Sequence, residues 1–587
     1  MNSQIFHPFV LPFVLGMAFV LTYCCVGLVR IIGQLPKEDR VKFRRSLVTP
    51  KIAWANVRDI FGDCIFHVKI WKRNPLLGYM HSSIAFGWFM LIVVGHVMLF
   101  TLKPLESVEA EGFARAFTNC YYPIFFKYFA EETPVFAFLM DFFLLLVISG
   151  ILIAVIKKIH SKIVGVKRVT KFGFADNMIR FALWAIFPLR LIAEKTDSRV
   201  FWWLYSIDLL VFMFMLPFTR YMHIPTEALF ILFRHAGLKP REPRKGYALA
   251  QIYSCPSCGM CIDACPMSVD DEKSGNTSAY FMKSLRNGDK EEARRIAETC
   301  MQCGKCVAVC PVSIESCDIK MSQRAAVPCN IKSDHSYLDV VSAEAEHSCN
   351  FDRHEGMEKS PAVLYFAGCM THLTPKITHA MKQIMEAAGE NYEFLDKNGC
   401  VCCGRPMLLC GKTAEAQAMI EKNTELIKTS GATKLVLSCP ICYKVFKEEY
   451  HFEDIEIQHH TQYIDELIKN GRLNIEKNDV NYVYHDPCEL GRAFGVYDEP
   501  REVLENIGKL RKAKSEKELS VCCGGSLGSL NLTQKERDEI TSNSVADLMF
   551  NNPDEIVTAC PLCLKTFARK SPVPVKDIAE IVAENKQ

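Results

Sequence analysis

The chain carries no excess charge of either sign: 69 basic residues face 66 acidic ones, a formal net charge of +3 over 587 residues. That balance leaves no electrostatic footprint for nucleic acid, and none is expected as a partner. Nucleotide fingerprints are also missing. Neither a G-x-G-x-x-G after a strand nor a Walker-type loop is present, so the chain is expected to bind no NAD or FAD itself. Nothing basic precedes the first apolar run and no A-x-A-like site follows it, which predicts that no signal is cleaved. What the chain has in quantity is apolar residues and cysteine. Hydrophobic residues make up 49% while charged ones still reach 23%, the signature of a membrane part joined to a soluble part. The 27 cysteines are too many for a reduced enzyme that uses them only in its core. A disulfide scaffold suits short secreted chains. Here the cysteines cluster as CxxC, CxxxC and CC, spacings that converge thiolates on metal and imply a reducing compartment.

Five apolar runs occupy the first 225 residues: Phe9–Ile32, Gly78–Leu102, Val135–Ile156, Asn177–Ala193 and Val200–Tyr221. Four reach the ~20 residues that cross the hydrocarbon core, and the Asn177 run is the shortest. Gln34–Leu77 carries ten Lys/Arg and Lys157–Lys171 six, whereas Lys103–Pro134 has three beside five glutamates. The positive-inside rule then places the cysteine-rich half on the cytoplasmic side of the inner membrane. His81 starts the second run and His223 follows the last, at matched depth. An imidazole pair from two helices at one depth is the arrangement that holds a b haem by both axial positions. His96 lies 15 residues beyond His81, about 22 Å along the helix and on a similar face.

The segment GYMHSSIAFGWFMLIVVGH, five runs and a terminal TRYMHIP resemble the gamma subunit of respiratory nitrate reductase and the membrane subunit of heterodisulfide reductase. The resemblance implies two b haems between the second and last helices. His96 would then need a partner early in the fifth run, where Tyr205 stands instead; His7 is the substitute on that side. One b haem on His81 and His223 is expected, with a second on His96 left open.

Beyond the linker GLKPREPRKG come two copies of C-x2-C-x2-C-x3-C-P. Cys255, Cys258, Cys261 and Cys265 form the first, and Cys300, Cys303, Cys306 and Cys310 the second. Three close thiolates wrap one corner of a [4Fe–4S] cubane and the fourth reaches the other cubane. The expected sets are Cys255, Cys258, Cys261 with Cys310, and Cys300, Cys303, Cys306 with Cys265. The segment between the two motifs reads as helical.

The last 220 residues repeat internally. Cys369, Cys402, Cys403, Cys439 and Cys442 recur as Cys488, Cys522, Cys523, Cys560 and Cys563, offset by 119 to 121 residues. AVLYFAGC, KLVLSCPIC, NYVYHDPC and EIVTACPLC read as strands ending in cysteine, and the helix before Gly431 is expected to close on it. Strand-then-helix order predicts parallel α/β units with cysteines at the carboxyl ends of strands. Adjacent cysteines and a count of five do not suit a symmetric cubane, so an unusual cluster is expected in each repeat. The pattern resembles the CCG domains of heterodisulfide reductase, glycolate oxidase iron–sulfur subunits and anaerobic glycerol-3-phosphate dehydrogenase subunits. It implies two facing non-cubane [4Fe–4S] clusters that cleave a disulfide between them. The stretch GGSLGSL after the second CCG departs from the family pattern at the pocket. Cys24, Cys25, Cys64, Cys120, Cys317, Cys329, Cys349, Cys400 and Cys410 fall outside these spacings and are expected to serve packing.

The expected fold is mixed: a five-helix transmembrane bundle, then an α-rich dicluster ferredoxin module and two α/β CCG-type repeats. The boundaries are 1–235, 236–345, 360–470 and 478–587. The resemblance implies a quinone-linked oxidoreductase that passes electrons between membrane (mena)quinone, through haem b and the clusters, and a soluble thiol/disulfide couple. Fusions of this layout also resemble electron-transfer-flavoprotein:quinone oxidoreductases. A third reading is an electron-transfer and anchor subunit for a separate dehydrogenase.

Overall fold

The computed structural model describes residues 8–101, 124–125, 134–160, 168–196, 198–268, 275–327, 361–397, 401–528 and 531–587. The expectations placed on His7, Cys120, Cys329, Cys349 and Cys400 lie outside them. The described chain divides into two units. One comprises Met1–Asp263 with Met282–Gly288 and Cys310–Glu315, and the other Ala264–Phe281, Asp289–Val309 and Ser316–Gln587.

Among the described residues of the first unit, four helical stretches are long and apolar enough to cross a membrane: Pro8–Gly33, Pro75–Met98, Pro134–Ile159 and Arg199–Phe218. Prolines at or near the start of the first three suit a position whose N–H has no helical partner anyway. Their outward residues stay apolar, as with Leu21, Val29, Phe138, Leu145, Leu152 and Phe214, which suits a lipid-facing surface. Helices Pro75–Thr101 and Pro134–Ile159 meet through glycine. A Cβ on Gly150 would stand 2.2 Å from the Ser83 hydroxyl, and one on Gly87 2.5 Å from Val147. Small residues of this kind let membrane helices approach closely where lipid supplies no hydrophobic drive between them.

The fourth apolar run, at Asn177, departs from expectation. It forms a helix, Phe174–Thr196, that is not apolar enough to count as a span. The reason is its polar content. Arg190 is buried and holds Glu194 at 2.8 Å, one turn along the same helix. Burying that pair against the other helices is tolerable, because each charge desolvates only with its partner present.

Among the described residues, the second unit contains two four-stranded parallel sheets of identical topology. In the first, β1 (Val363–Phe366), β2 (Tyr392–Phe394), β3 (Lys434–Leu437) and β4 (Glu456–His459) run in the order β2-β1-β3-β4. In the second, β5 (Asn481–His485), β6 (Lys509–Arg511), β7 (Glu555–Thr558) and β8 (Val575–Asp577) run in the order β6-β5-β7-β8. The inner strands are the four that end in cysteine motifs. Their apolar runs are buried on both faces, as parallel strands covered by helices require. Helix Thr413–Ser430 closes on Gly431, which adopts the left-handed conformation at φ +73°. The segment between the ferredoxin motifs is helical but broken: Ser278–Asn287 and Lys290–Thr299 are separated at Gly288.

Candidate functional site

Every described cysteine is a free thiol, so no disulfide scaffold exists among the described residues. In the ferredoxin motifs the fourth cysteine of each run stands beside cysteines of the other run. Cys310 sits among Cys255 and Cys258, and burial together with those thiolates pushes it up to about 12. Cys265 is likewise raised by burial and by the neighbouring thiolates of Cys303 and Cys306. These gatherings offer the soft, buried thiolate donors that iron–sulfur clusters take.

The second pocket holds two residues that spacing did not flag. The Cys317 thiol donates to both Cys300 and Cys306, and this contact is the largest cause of the lowering of Cys306 to about 5. Its seven-residue distance from Cys310 matches no ligand motif, which is why packing was expected for it. Lys320 is 2% exposed and places its ammonium 3.3 Å from Cys300 Sγ and 2.8 Å from the Ser278 hydroxyl. A buried cation there is stabilised by the thiolates it faces.

Five cysteines converge in each repeat. In the first, Cys403 lies within hydrogen-bond reach of Cys402 and Cys442, Cys442 of Cys439, and Cys369 stands beside Cys403 and Cys439. Burial first, then those thiolates, pushes Cys369 up to about 12. In the second, Cys563 Sγ is 3.3 Å from Cys523 Sγ, with Cys560 beside Cys563 and Cys488 and Cys523 beside Cys522. The glycines of both C-C-G triplets, Gly404 and Gly524, sit at φ +89°, a left-handed turn that lets adjacent cysteines serve one centre. The two centres are neighbours, since the thiolates of Cys560 and Cys439 repel one another.

The second centre also adjoins the second cubane pocket. Cys522 donates to Cys303, which is thereby lowered to about 7. The two cysteines share a small apolar cluster with Met267, Met301 and Ile540. Arg492 locks this contact, donating from Nε to the Cys303 carbonyl at 2.6 Å and from Nη1 to the Ser520 carbonyl at 2.9 Å. The unusual GGSLGSL stretch has a packing role here: Ser526 donates to the Met301 carbonyl at 2.6 Å. A Cβ on Gly528 would meet that same oxygen at 2.5 Å.

In the first unit, His81 and His223 line one cavity together with His67, Asp63, Glu227 and Cys258. Sequence reasoning missed His67. It stands between the helical turns Ile60–Ile65 and Val68–Arg73, before the second run, and only the fold brings its ring to 5.4 Å from that of His81. His223 gives Nδ1 to the Arg220 carbonyl at 2.8 Å, and burial pushes it down to about 4. A neutral imidazole with Nδ1 so engaged leaves Nε2 for a metal, which fits an axial haem ligand.

His96 is not among the residues lining that cavity, and its Nδ1 lies 2.7 Å from the Ile92 carbonyl of its own helix. Tyr205, where a partner for His96 was sought, is 3% exposed. It packs between Trp202 and Phe125 and takes Arg190 Nη1 at 3.4 Å. Tyr205 thus supplies no imidazole to pair with His96, and His7 lies outside the described residues.

A family model described as a cysteine-rich domain, CCG, matches residues 363–447 and again 482–568, and a 4Fe-4S dicluster domain matches residues 254–314. The chain carries a dicluster ferredoxin domain and two CCG domains. An uncharacterized iron–sulfur protein of Methanococcus maripaludis is 25% identical over 395 residues, which is 64% of this chain and 72% of that protein. A component of the dihydromethanophenazine:CoB–CoM heterodisulfide reductase of Methanosarcina acetivorans is 28% identical over 38% of this chain and 58% of its own length. The EtfAB:quinone oxidoreductase of Syntrophomonas wolfei is 30% identical over 37% of this chain, and the match covers 34% of that relative. The chain is thus similar, over part of its length, to iron–sulfur oxidoreductases of both kinds, and its match spans about three fifths of the first of these two and a third of the second.

Proposed function

We propose that the chain is a membrane-bound, quinone-linked oxidoreductase that exchanges electrons with a soluble thiol/disulfide couple at its CCG domains. In one direction the balance is quinol plus disulfide giving quinone plus two thiols, with the two electrons and two protons released by the quinol taken up by the disulfide. The observation that carries the reading is the unbroken sequence of donor groups inside each unit. Cys258 of the first cubane set lines the cavity of His81 and His223, and Cys303 of the second set abuts Cys522 of the second repeat. One b haem on His81 and His223, two cubanes and two CCG-type clusters would supply the one-electron carriers that link two-electron reactions at either end. The chain's own residues set the spacing: Arg492 and Ser526 clamp the second cubane loop against the second repeat, and the Arg220 carbonyl orients His223. The four apolar helices would hold this assembly in the cytoplasmic membrane with the cysteine-rich unit inside, in line with the basic loops.

A second reading keeps the wiring and replaces the thiol couple with an electron-transfer flavoprotein, supported by the 30% identity to the EtfAB:quinone oxidoreductase. One experiment separates them. The purified full-length protein is reduced with menaquinol, and the haem absorption band is followed after adding a disulfide or an oxidised flavoprotein. Reoxidation by disulfides alone supports the first reading, and reoxidation by flavoprotein alone the second. A protein without a haem band, or one that neither acceptor reoxidises, refutes both.

A further inference from the structure

The two CCG domains match strand for strand, yet one position facing the cysteines differs in chemistry. His485 ends β5 three residues before Cys488, and Phe366 ends β1 three residues before Cys369. The registers coincide: Phe366 pairs with Leu437 on β3, and His485 with Thr558 on β7. Their ring partners coincide as well. Phe366 meets Phe446 edge-on at 5.3 Å, and His485 meets Phe567 edge-on at 4.7 Å. Both side chains are buried, at 0% and 3% exposure. The second domain therefore carries an imidazole in the seat where the first carries a benzene ring.

That imidazole is aimed at the cluster cysteines. A ring nitrogen of His485 and the sulfurs of Cys523 and Cys563 all lie within 4.8 Å of one another. Five cysteines already converge in this domain, so a further ligand is not required. An N–H directed at coordinating sulfurs draws electron density from them and stabilises the reduced cluster, which raises its reduction potential. Phe366 can do nothing of the kind in the first domain.

We propose that His485 makes the two CCG centres inequivalent: as an N–H···S donor to the Cys523/Cys563 corner, it holds the second centre at a higher potential than the first. The second centre is also the one beside Cys303, so the electron shared with the second cubane is stored there first. A bound disulfide then meets two centres poised differently rather than a symmetric pair. This rests on the reading that each CCG domain holds a cluster.

The test is an EPR-monitored redox titration of the full-length protein, with nitrogen couplings read by pulsed EPR and iron content measured on each sample. In the wild type, two CCG signals should titrate at different potentials, the higher one carrying a weak nitrogen coupling. His485→Phe, which copies the first domain, should shift that signal to lower potential and abolish the coupling. Phe366→His should shift the other signal upward, and it serves alone if His485→Phe fails to retain iron. Unmoved potentials at full iron content overturn the inference, and so does the strong nitrogen coupling of a directly bound imidazole. Absence of any CCG signal overturns the proposed function itself.

Discussion

Replacing Arg324 should loosen the whole cysteine-rich unit. Its guanidinium is 1% exposed and donates to five main-chain carbonyls: Ala297 and Cys300 at 3.0 Å, Glu298 at 3.4 Å, Leu409 at 3.0 Å and Gly528 at 2.7 Å. Those acceptors belong to three separate segments: the second cubane loop, the helix after the first C-C-G, and the loop after the second. Each charge-assisted bond is worth about 1.5–3 kcal/mol, but water entering the vacated space re-solvates some of the carbonyls. Arg324→Met is therefore expected to cost about 3–5 kcal/mol, the range seen when one partner of a buried charged contact is removed. For a unit of this size that lowers the melting temperature by roughly 6–20 °C. Arg324→Lys keeps the charge but has fewer donors in a different geometry, so it should fall between the two. The assay is thermal bleaching of the iron–sulfur absorbance with circular dichroism as a second probe. Melting of Arg324→Met within about 2 °C of the wild type would refute the assignment of this side chain as the tie between segments.

Three further outcomes are expected. A unit charge 3.3 Å from Cys300 Sγ interacts by about 5 kcal/mol at an effective dielectric near 20, and roughly half of that acts on an electron shared over four thiolates. Lys320→Met should lower the second cubane's midpoint by about 100 mV while Lys320→Arg preserves it, and a shift under about 20 mV in the Met variant refutes this. Cys317→Ala should leave the second cubane with its full iron and lower its potential; loss of iron would instead make Cys317 a ligand. His372 Nε2 stands 3.2 Å from Asp396 Oδ2, and that hydrogen bond raises the histidine above its ordinary value. The pair thus stabilises the first CCG domain below about pH 6.5, and the contribution is lost as pH rises through the raised folded value. The urea midpoint should fall between about pH 6 and pH 8 by more in the wild type than in His372→Gln, and equal slopes would refute it.

The cluster cysteines were legible in the chain because ligation at short range is a matter of covalent reach. Cys255, Cys258 and Cys261 can meet one iron centre in few other ways, and the 119- to 121-residue repeat of Cys369 through Cys442 announces a duplicated site. The cysteine-ended strands were readable for a similar reason, since fully buried parallel strands leave short apolar runs bounded by turns. The outer strands β2, β4, β6 and β8 were not. They are three or four residues long, partly polar, and gain their pairing only from the neighbours already in place. At the Asn177 run the helix carries Asp176, Arg180, Arg190, Glu194 and Lys195, so its apolar character falls below that of the four longer runs.

The sequence by itself determined which donors exist, how many centres they can make and that the chain joins an apolar half to a metal-binding one. Tertiary structure decided what stands next to each centre. His67 reaches His81 from the start of helix Val68–Arg73, Cys317 and Lys320 enter the second cubane pocket from the helix beyond it, and Cys303 meets Cys522 across more than two hundred residues. His485 and Phe366 look like unrelated residues until the strand registers are superposed. Ligation is short-ranged in sequence because the chain must wrap one ion cluster, whereas the tuning of a centre acts through space. It is set by whichever charge or N–H the packing brings within a few ångströms.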